Sequence, residues 1–322
     1  MSELTTELID SQLAELIAIR RDLHANPQLA YQETYASRKV QRFLEGIDVP
    51  FATGVAETGV VGWIVPPGDA GKRDAVALRA DMDALPSSEQ TGLDYSSQSP
   101  GLRHACGHDG HTTILLGTAK ALAAMRDQLT RPVKLIFQPA EEGGAGAKRM
   151  VQDGALTAKC GGIATAAVFG LHGWPDLPLG QLASKPGPMM ASTNTVRLAL
   201  TSAGGHAALP HLTSDAVLAA STIVTRLQTI VSRSIDPTQP AVVSICSIHG
   251  GSAENILPNR VEMLGTIRAA DETVRQLAVT RVKQIAETIA ADHGCGLEMK
   301  ITDDYPVTIN DQGCFDTVAR VA

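Results

Sequence analysis

The sequence predicts an α/β fold in two domains, a sheet covered on both faces by helices and a smaller inserted domain of ferredoxin-like order. Three observations lead there. The chain has 322 residues, and single hydrophobic cores stop growing at about 250 to 300 residues. Over the first 188 residues, short apolar runs alternate with helical patterns, as strands buried under helices require. Beyond Lys185-Pro186-Gly187-Pro188 the order changes to strand, helix, strand, strand, helix, strand, the split βαβ arrangement.

Taken in order, Leu13, Leu16, Ile17 and Leu23 form a helical stripe that ends near Asn26-Pro27, where proline disfavours a helical residue before it. A second helix is expected over residues 33–44. Apolar runs at 60–65 and 75–80 read as strand, turn, strand, the first bounded by Pro66-Pro67-Gly68. Helices at 112–125 and 146–151 enclose a strand at 133–138, and the run 163–171 reads as a fully buried strand. In the second domain, strands are expected at 195–201, 241–249, 261–268 and 297–302, with helices at 214–231 and 273–293. These boundaries give a first domain over 1–188, an inserted domain over 189–302, and a return to the first domain at 303–322, around Tyr305-Pro306.

Composition narrows the function classes. Hydrophobic residues at 44% and charged residues at 19% suit a packed core and argue against a disordered or coiled-coil chain. Aromatics are only 3%, against 29 glycines and 9 histidines, so an aliphatic core and many tight turns are expected. A net charge of -7 gives no electrostatic footprint for nucleic acid or an anionic membrane. No apolar run reaches the roughly 18 residues of a membrane span, and the acidic, helix-periodic start is unlike a secretory signal. Five cysteines at irregular spacing (Cys106, Cys160, Cys246, Cys295, Cys314) fit reduced thiols better than a disulfide framework. A cytoplasmic protein is expected.

Chemistry concentrates at strand ends. Arg103-His104-Ala105-Cys106-Gly107-His108-Asp109-Gly110-His111 places three histidines, a cysteine and an aspartate within nine residues, a supply of metal ligands with glycines that let the backbone fold around an ion. A helix cap alone would need one Asp or Ser, not a cysteine bracketed by histidines. Gln138-Pro139-Ala140-Glu141-Glu142-Gly143-Gly144 follows an apolar strand, and adjacent carboxylates point different ways, so one can ligate a metal while the other faces a substrate. His172 ends a third run, in Leu171-His172-Gly173-Trp174. Arg79-Ala80-Asp81-Met82-Asp83 ends a fourth, and Asp83 suits a carboxylate standing behind a metal-bound histidine, with Asp81 the weaker candidate. Ligands in α/β sheets bind beyond the carboxyl ends of strands.

These motifs, with Arg21-Asp22-Leu23-His24-Ala25-Asn26-Pro27, Gly204-Gly205-His206-Ala207-Ala208-Leu209-Pro210-His211, Glu254-Asn255-Ile256-Leu257-Pro258 and Gly265-Thr266-Ile267-Arg268, resemble the peptidase M20 family. The likeness is to its amidohydrolase branch of hippurate hydrolases, N-acyl-amino-acid amidohydrolases and plant auxin-conjugate hydrolases. It covers nearly the whole chain, and the Cys-Gly-His-Asp-Gly-His loop marks that branch rather than its aminopeptidases and dipeptidases. The resemblance implies a catalytic domain with a central mixed sheet flanked by helices, and an inserted domain that forms the contact of a homodimer. It implies two divalent ions (manganese, zinc or cobalt) on Cys106, His108, Glu142 and His172, with Glu141 as general base and acid. It further implies His206 as an oxyanion donor, often acting across the subunit boundary, and Asn255 and Arg268 as holders of the carboxylate of an N-acyl amino acid, hippurate-like or N-acetyl.

Members of the family continue to a distal histidine that completes the metal site, whereas this chain stops at Ala322 and has no histidine after His293. The expectation is therefore a C-terminally truncated member, either an amidohydrolase whose last ligand comes from elsewhere or an impaired homologue that binds N-acyl amino acids or only dimerises.

Overall fold

A computed structural model describes residues 3–69 and 72–322, and the chain divides into two compact units, Met1–Gln181 and Leu182–Ala322. In the first unit α1 (Glu3–Ala25) and α2 (Thr34–Gly46) precede β1 (Phe51–Val55), β2 (Gly59–Ile64) and β3 (Ala75–Asp81). There follow α3 (His108–Ala124), β4 (Val133–Gln138), α4 (Gly146–Asp153) and β5 (Thr165–Gly170). The sheet order is β1-β2-β4-β3-β5, mixed in direction, with β3 parallel to both β4 and β5. Every residue of β4 is buried, Lys134 included, whose ammonium donates to the carbonyls of Ala155 and Thr157 at 2.9 and 2.8 Å. One sheet face buries Val60, Ile64, Leu135 and Phe137 against Leu23, Val40, Leu44, Leu115 and Leu116 of the first three helices. The other covers Val61, Ala77 and Ile136 with Met150, Ala155 and Cys160.

The runs at 60–65 and 75–80 are strands as expected, and β4 lies between them in the sheet. The five-residue β1 was not anticipated; its short sequence carries a glycine, Gly54, at φ +71°. The run at 163–171 is an edge strand rather than a fully buried one: β5 pairs only with β3, and its residues alternate between half-buried and exposed. Apolarity reports the wish to be buried; it does not report how many neighbours a strand finds.

The second unit opens with β6 (Gly187–Met190), β7 (Ser192–Thr201), β8 (Gly205–His206) and α5 (Ala216–Arg233). It continues through β9 (Ala241–Gly250), β10 (Ile256–Leu257), β11 (Arg260–Ala269), α6 (Glu272–Asp292), β12 (Gly296–Tyr305), β13 (Thr308–Asn310) and α7 (Gln312–Val321). Its main sheet runs β12-β7-β11-β9, antiparallel throughout. Alternate residues of β11 are buried, and α5 and α6 cover that face through Ile223, Leu227, Val282 and Ala286. Asp215 and Asp271 cap α5 and α6, each accepting two backbone N–H groups. β6 and β13 pair with one another, so the stretches entering and leaving 189–302 lie side by side. All five cysteines are free, and among the described residues no helix is long and apolar enough to cross a membrane.

Candidate active site

β4, β3 and β5 run parallel, so their carboxyl ends open on one side of the first unit's sheet. The end of β3 delivers Asp81 and Asp83, both buried to within 1% of full burial. The end of β4 leads into Glu141 and Glu142, and that of β5 into His172. The remaining donors come from the start of α3. Gly107, at φ +83°, turns the chain into the helix, leaving Cys106 before the turn and His108 as the first helical residue. His111 lies one turn on, on the same face.

Hydrogen bonds set which ring nitrogens are available. The Nδ1–H of His108 donates to Asp83 Oδ1 at 3.2 Å, which leaves its buried Nε2 as a lone pair with no hydrogen-bond partner. That nitrogen lies 3.6 Å from Asp81 Oδ2 and 3.9 Å from both Glu141 Oε2 and Glu142 Oε1. His172 donates from Nδ1 to the carbonyl of Gly173 at 2.7 Å, and its Nε2 stands 3.4 Å from Cys106 Sγ. Cys106, His108 and Glu142 each bring a donor atom within 4.8 Å of the others, and His108 is shared with a second group of Asp81, His111 and His172. A cysteine sulfur, two imidazole Nε2 atoms and a carboxylate make a donor set that fits a divalent transition metal, which would bind the sulfur as thiolate. The orphaned Nε2 of His108 is what such an ion would satisfy.

His111 belongs to the frame instead. Its Nδ1–H donates to Asp81 Oδ1 at 2.7 Å, and its Nε2 accepts the backbone N–H of Gly173 at 2.7 Å, so both ring nitrogens are engaged. Asp81 also takes the Arg79 guanidinium at 2.7 Å, and Arg79 reaches Gln138 at 2.8 Å. Asp83 accepts the Glu142 N–H at 2.9 Å as well as His108, tying two donor-bearing segments together. Behind α3, buried Asp109 holds His24 at 2.7 Å and Arg20 at 3.1 Å, and His24 reaches Glu89 at 3.1 Å. Arg20 and His24 of α1 thus brace the first turn of α3.

The electrostatics follow from burial and crowding. Burial pushes the Asp81 carboxyl up, but the hydrogen bond from His111 and the charges of Arg79 and His108 outweigh it and hold Asp81 well below the usual carboxylate range. Burial likewise works against Asp83 and is overcome by His108 and backbone N–H groups, leaving it lowered. Burial and then the negative charge of Glu142 raise the Glu141 carboxyl. Burial, followed by the Glu142 carboxylate, pushes the Cys106 thiol up to about 12. A carboxyl that holds its proton more tightly than usual, beside donors for a cation, can take a proton from water and pass it on.

In the second unit His206 is exposed on β8, which pairs with β10, and Asn255 accepts the Ala207 N–H through its backbone carbonyl at 2.9 Å. The His206 Nδ1 accepts the Ala208 N–H at 3.1 Å, so the neutral ring carries its proton on Nε2. Arg268, whose guanidinium reaches the Thr193 hydroxyl, lies at the other end of β11 from the turn that joins β10 to that strand. Eight residue steps, about 27 Å at 3.4 Å each, separate it from Arg260 at the near end. Within one chain the His206–Asn255 pair and Arg268 do not come together.

The place of Asp83 after a strand points to its role from sequence, whereas the sequence assigns no role to His111 or to Glu33, which accepts the Ala140 N–H beside Glu141. His111 carried a signal in its three-residue spacing from His108. Glu33 carried none.

Residues 77–322 match the family described as Peptidase family M20/M25/M40. An N-acetylcysteine deacetylase of Bacillus subtilis is 40% identical over 314 residues, covering 95% of this chain and 78% of the relative. An N-acyl-L-amino acid amidohydrolase of Geobacillus stearothermophilus is 38% identical over 310 residues, 95% of this chain and 81% of its own length. Among solved structures, the YXEP protein of Bacillus subtilis, a dinuclear metal binding peptidase from the M20 family, superposes with a TM-score of 0.78 at 35% identity, covering 97% of this chain and 81% of that one.

Proposed function

The chain belongs to peptidase family M20/M25/M40, and on that premise we propose that it is a metal-dependent amidohydrolase that cleaves N-acyl amino acids to a carboxylic acid and a free amino acid. The observation that carries this reading is that two groups of donor atoms, Cys106 and Glu142 on one side and His172 with Asp81 on the other, share the buried His108, whose Nε2 has no hydrogen-bond partner and lies near Glu141. Two divalent ions on those four side chains would polarise the scissile carbonyl and acidify a water. Manganese, zinc and cobalt suit the set, and the thiolate leans toward zinc. Asp83 orients His108 and steadies the Glu142 segment. Glu141 takes a proton from the attacking water and delivers it to the amine nitrogen as the carbon–nitrogen bond breaks.

The second unit is read as a lid and dimer contact inserted at 189–302, a reading supported by the pairing of β6 with β13 at its entry and exit. The His206 Nε2–H is the donor for the developing oxyanion. Asn255 and Arg268 hold the substrate carboxylate. A molecule the size of an N-acyl amino acid cannot touch both ends of β11, so these roles together require two copies of the chain.

Glu141→Gln is expected to keep the bound metal while hydrolysis of N-acetyl and N-benzoyl amino acids falls by roughly 10²- to 10⁴-fold. Unchanged turnover removes Glu141 from the mechanism. Cys106→Ala is expected to lose metal by elemental analysis; normal stoichiometry sinks that ligand.

A further inference from the structure

Glu33 stands at the N-terminus of α2, where a polar side chain ordinarily accepts the helix's own first amides, and it makes no such bond. Its side chain is fully buried and turned elsewhere. Oε1 accepts the backbone N–H of Ala140 at 2.8 Å and that of Tyr31 at 3.0 Å, while Oε2 accepts the Thr58 hydroxyl at 2.6 Å. Ala140 immediately precedes Glu141; it is fully buried, with φ at +52°. An L-residue with a Cβ enters that left-handed region only under constraint.

The same segment grips the turn a second time. The Tyr31 hydroxyl donates to the Gly144 carbonyl at 2.6 Å, and the Gly146 N–H closes the turn onto the Ala140 carbonyl at 3.0 Å. The packing leaves no slack: a Cβ on Gly144 would lie 2.5 Å from the Ala140 Cβ, and one on Gly146 would lie 1.8 Å from the Pro139 carbonyl oxygen. The turn carrying Glu141 and Glu142 is thus held at residue 140 and residue 144 by a segment more than a hundred residues away.

We propose that Glu33, assisted by Tyr31, is a positioning residue for the general base, holding Ala140 in its left-handed conformation and so aiming Glu141 at the reacting water and amine. The proposal rests on Glu141 being that base. A strained backbone conformation persists only where its surroundings over-determine it, and a buried N–H must keep an acceptor; the Glu33 carboxylate supplies both conditions at Ala140. Burial raises its carboxyl from the ordinary glutamate value, against the hydrogen bonds that lower it. A glutamine oxygen can accept both N–H groups while its NH₂ donates to the Thr58 oxygen.

The test uses the metal-loaded protein, with hydrogen–deuterium exchange of residues 139–146, bound metal, kcat and KM on an N-acetyl amino acid as readouts. Glu33→Ala is expected to speed exchange in that segment and lower kcat on the order of 100-fold, with KM and metal content close to the parent. Glu33→Gln should restore both exchange and kcat. Tyr31→Phe, which removes the Gly144 contact and leaves those of Glu33, should speed exchange and lower kcat less. Parental exchange and kcat in Glu33→Ala, or a Glu33→Gln as impaired as Glu33→Ala, overturns the positioning role. Should Glu33→Ala fail to fold, parental values in Tyr31→Phe overturn it. A fully active Glu141→Gln is a separate failure, of the base assignment, and the exchange rates still report whether Glu33 holds the turn.

Discussion

The histidines of the first unit differ in what their second nitrogen does. His108 donates Nδ1–H to Asp83 and leaves Nε2 without a partner, His172 donates Nδ1–H to the Gly173 carbonyl and turns Nε2 to the Cys106 sulfur, and His111 has both nitrogens engaged by the frame. His111 therefore links Asp81 to the Gly173 amide and fixes the segment that carries His172. In His111→Gln the side-chain oxygen can still accept the Gly173 N–H, and in His111→Asn the shorter amide reaches Asp81 but not Gly173. Metal titration is expected to show affinity lowered roughly 10- to 100-fold in His111→Asn and less in His111→Gln; equal loss in both would exclude the link to Gly173. The sequence placed His111 in the metal-rich loop and said nothing of its partners, because a ring's two nitrogens are assigned by neighbours 30 and 62 residues away.

Among the elements, the start of α3 contrasts with the helices of the second unit. Asp215, Asp271 and Asp311 cap α5, α6 and α7 with side-chain oxygens, whereas α3 opens on Gly107 with no side-chain cap. Asp271→Ala is expected to lower the stability of the second unit by about 1 kcal/mol, measured by denaturant unfolding with site-specific exchange, while metal content stays unchanged. Loss of metal in that variant would show that the site depends on α6. Helices and most strands were legible from periodicity and punctuation, with ends displaced by a few residues. The edge position of β5 and the insertion of β4 between β2 and β3 were not, because pairing depends on which strand packs beside which, and apolar content is the same either way.

At the scale of the whole molecule, the two units have separate cores; the proposed metal ligands and Glu141 belong to the first, and His206, Asn255 and Arg268 to the second. His206 and Asn255 sit at one end of β11 and Arg268 at the other, which a single chain cannot bring onto one small substrate. A mixture of Glu141→Gln and His206→Ala chains, unfolded and refolded together, is expected to recover hydrolysis that neither variant has alone, since a mixed dimer pairs an intact Glu141 with an intact His206. No recovery in a mixture shown to contain mixed dimers would place His206 in the same chain's site.

The sequence by itself determined the α/β class, the ferredoxin-like order of the second unit, the family and the strand-end clusters, because burial periodicity and ligand chemistry are written in residues close together along the chain. Only the tertiary structure decided which histidine nitrogens stand bare, that β5 is an edge, and that Glu33 secures a turn 107 residues away. Those depend on which distant groups packing brings within hydrogen-bond reach, and no local pattern carries that information.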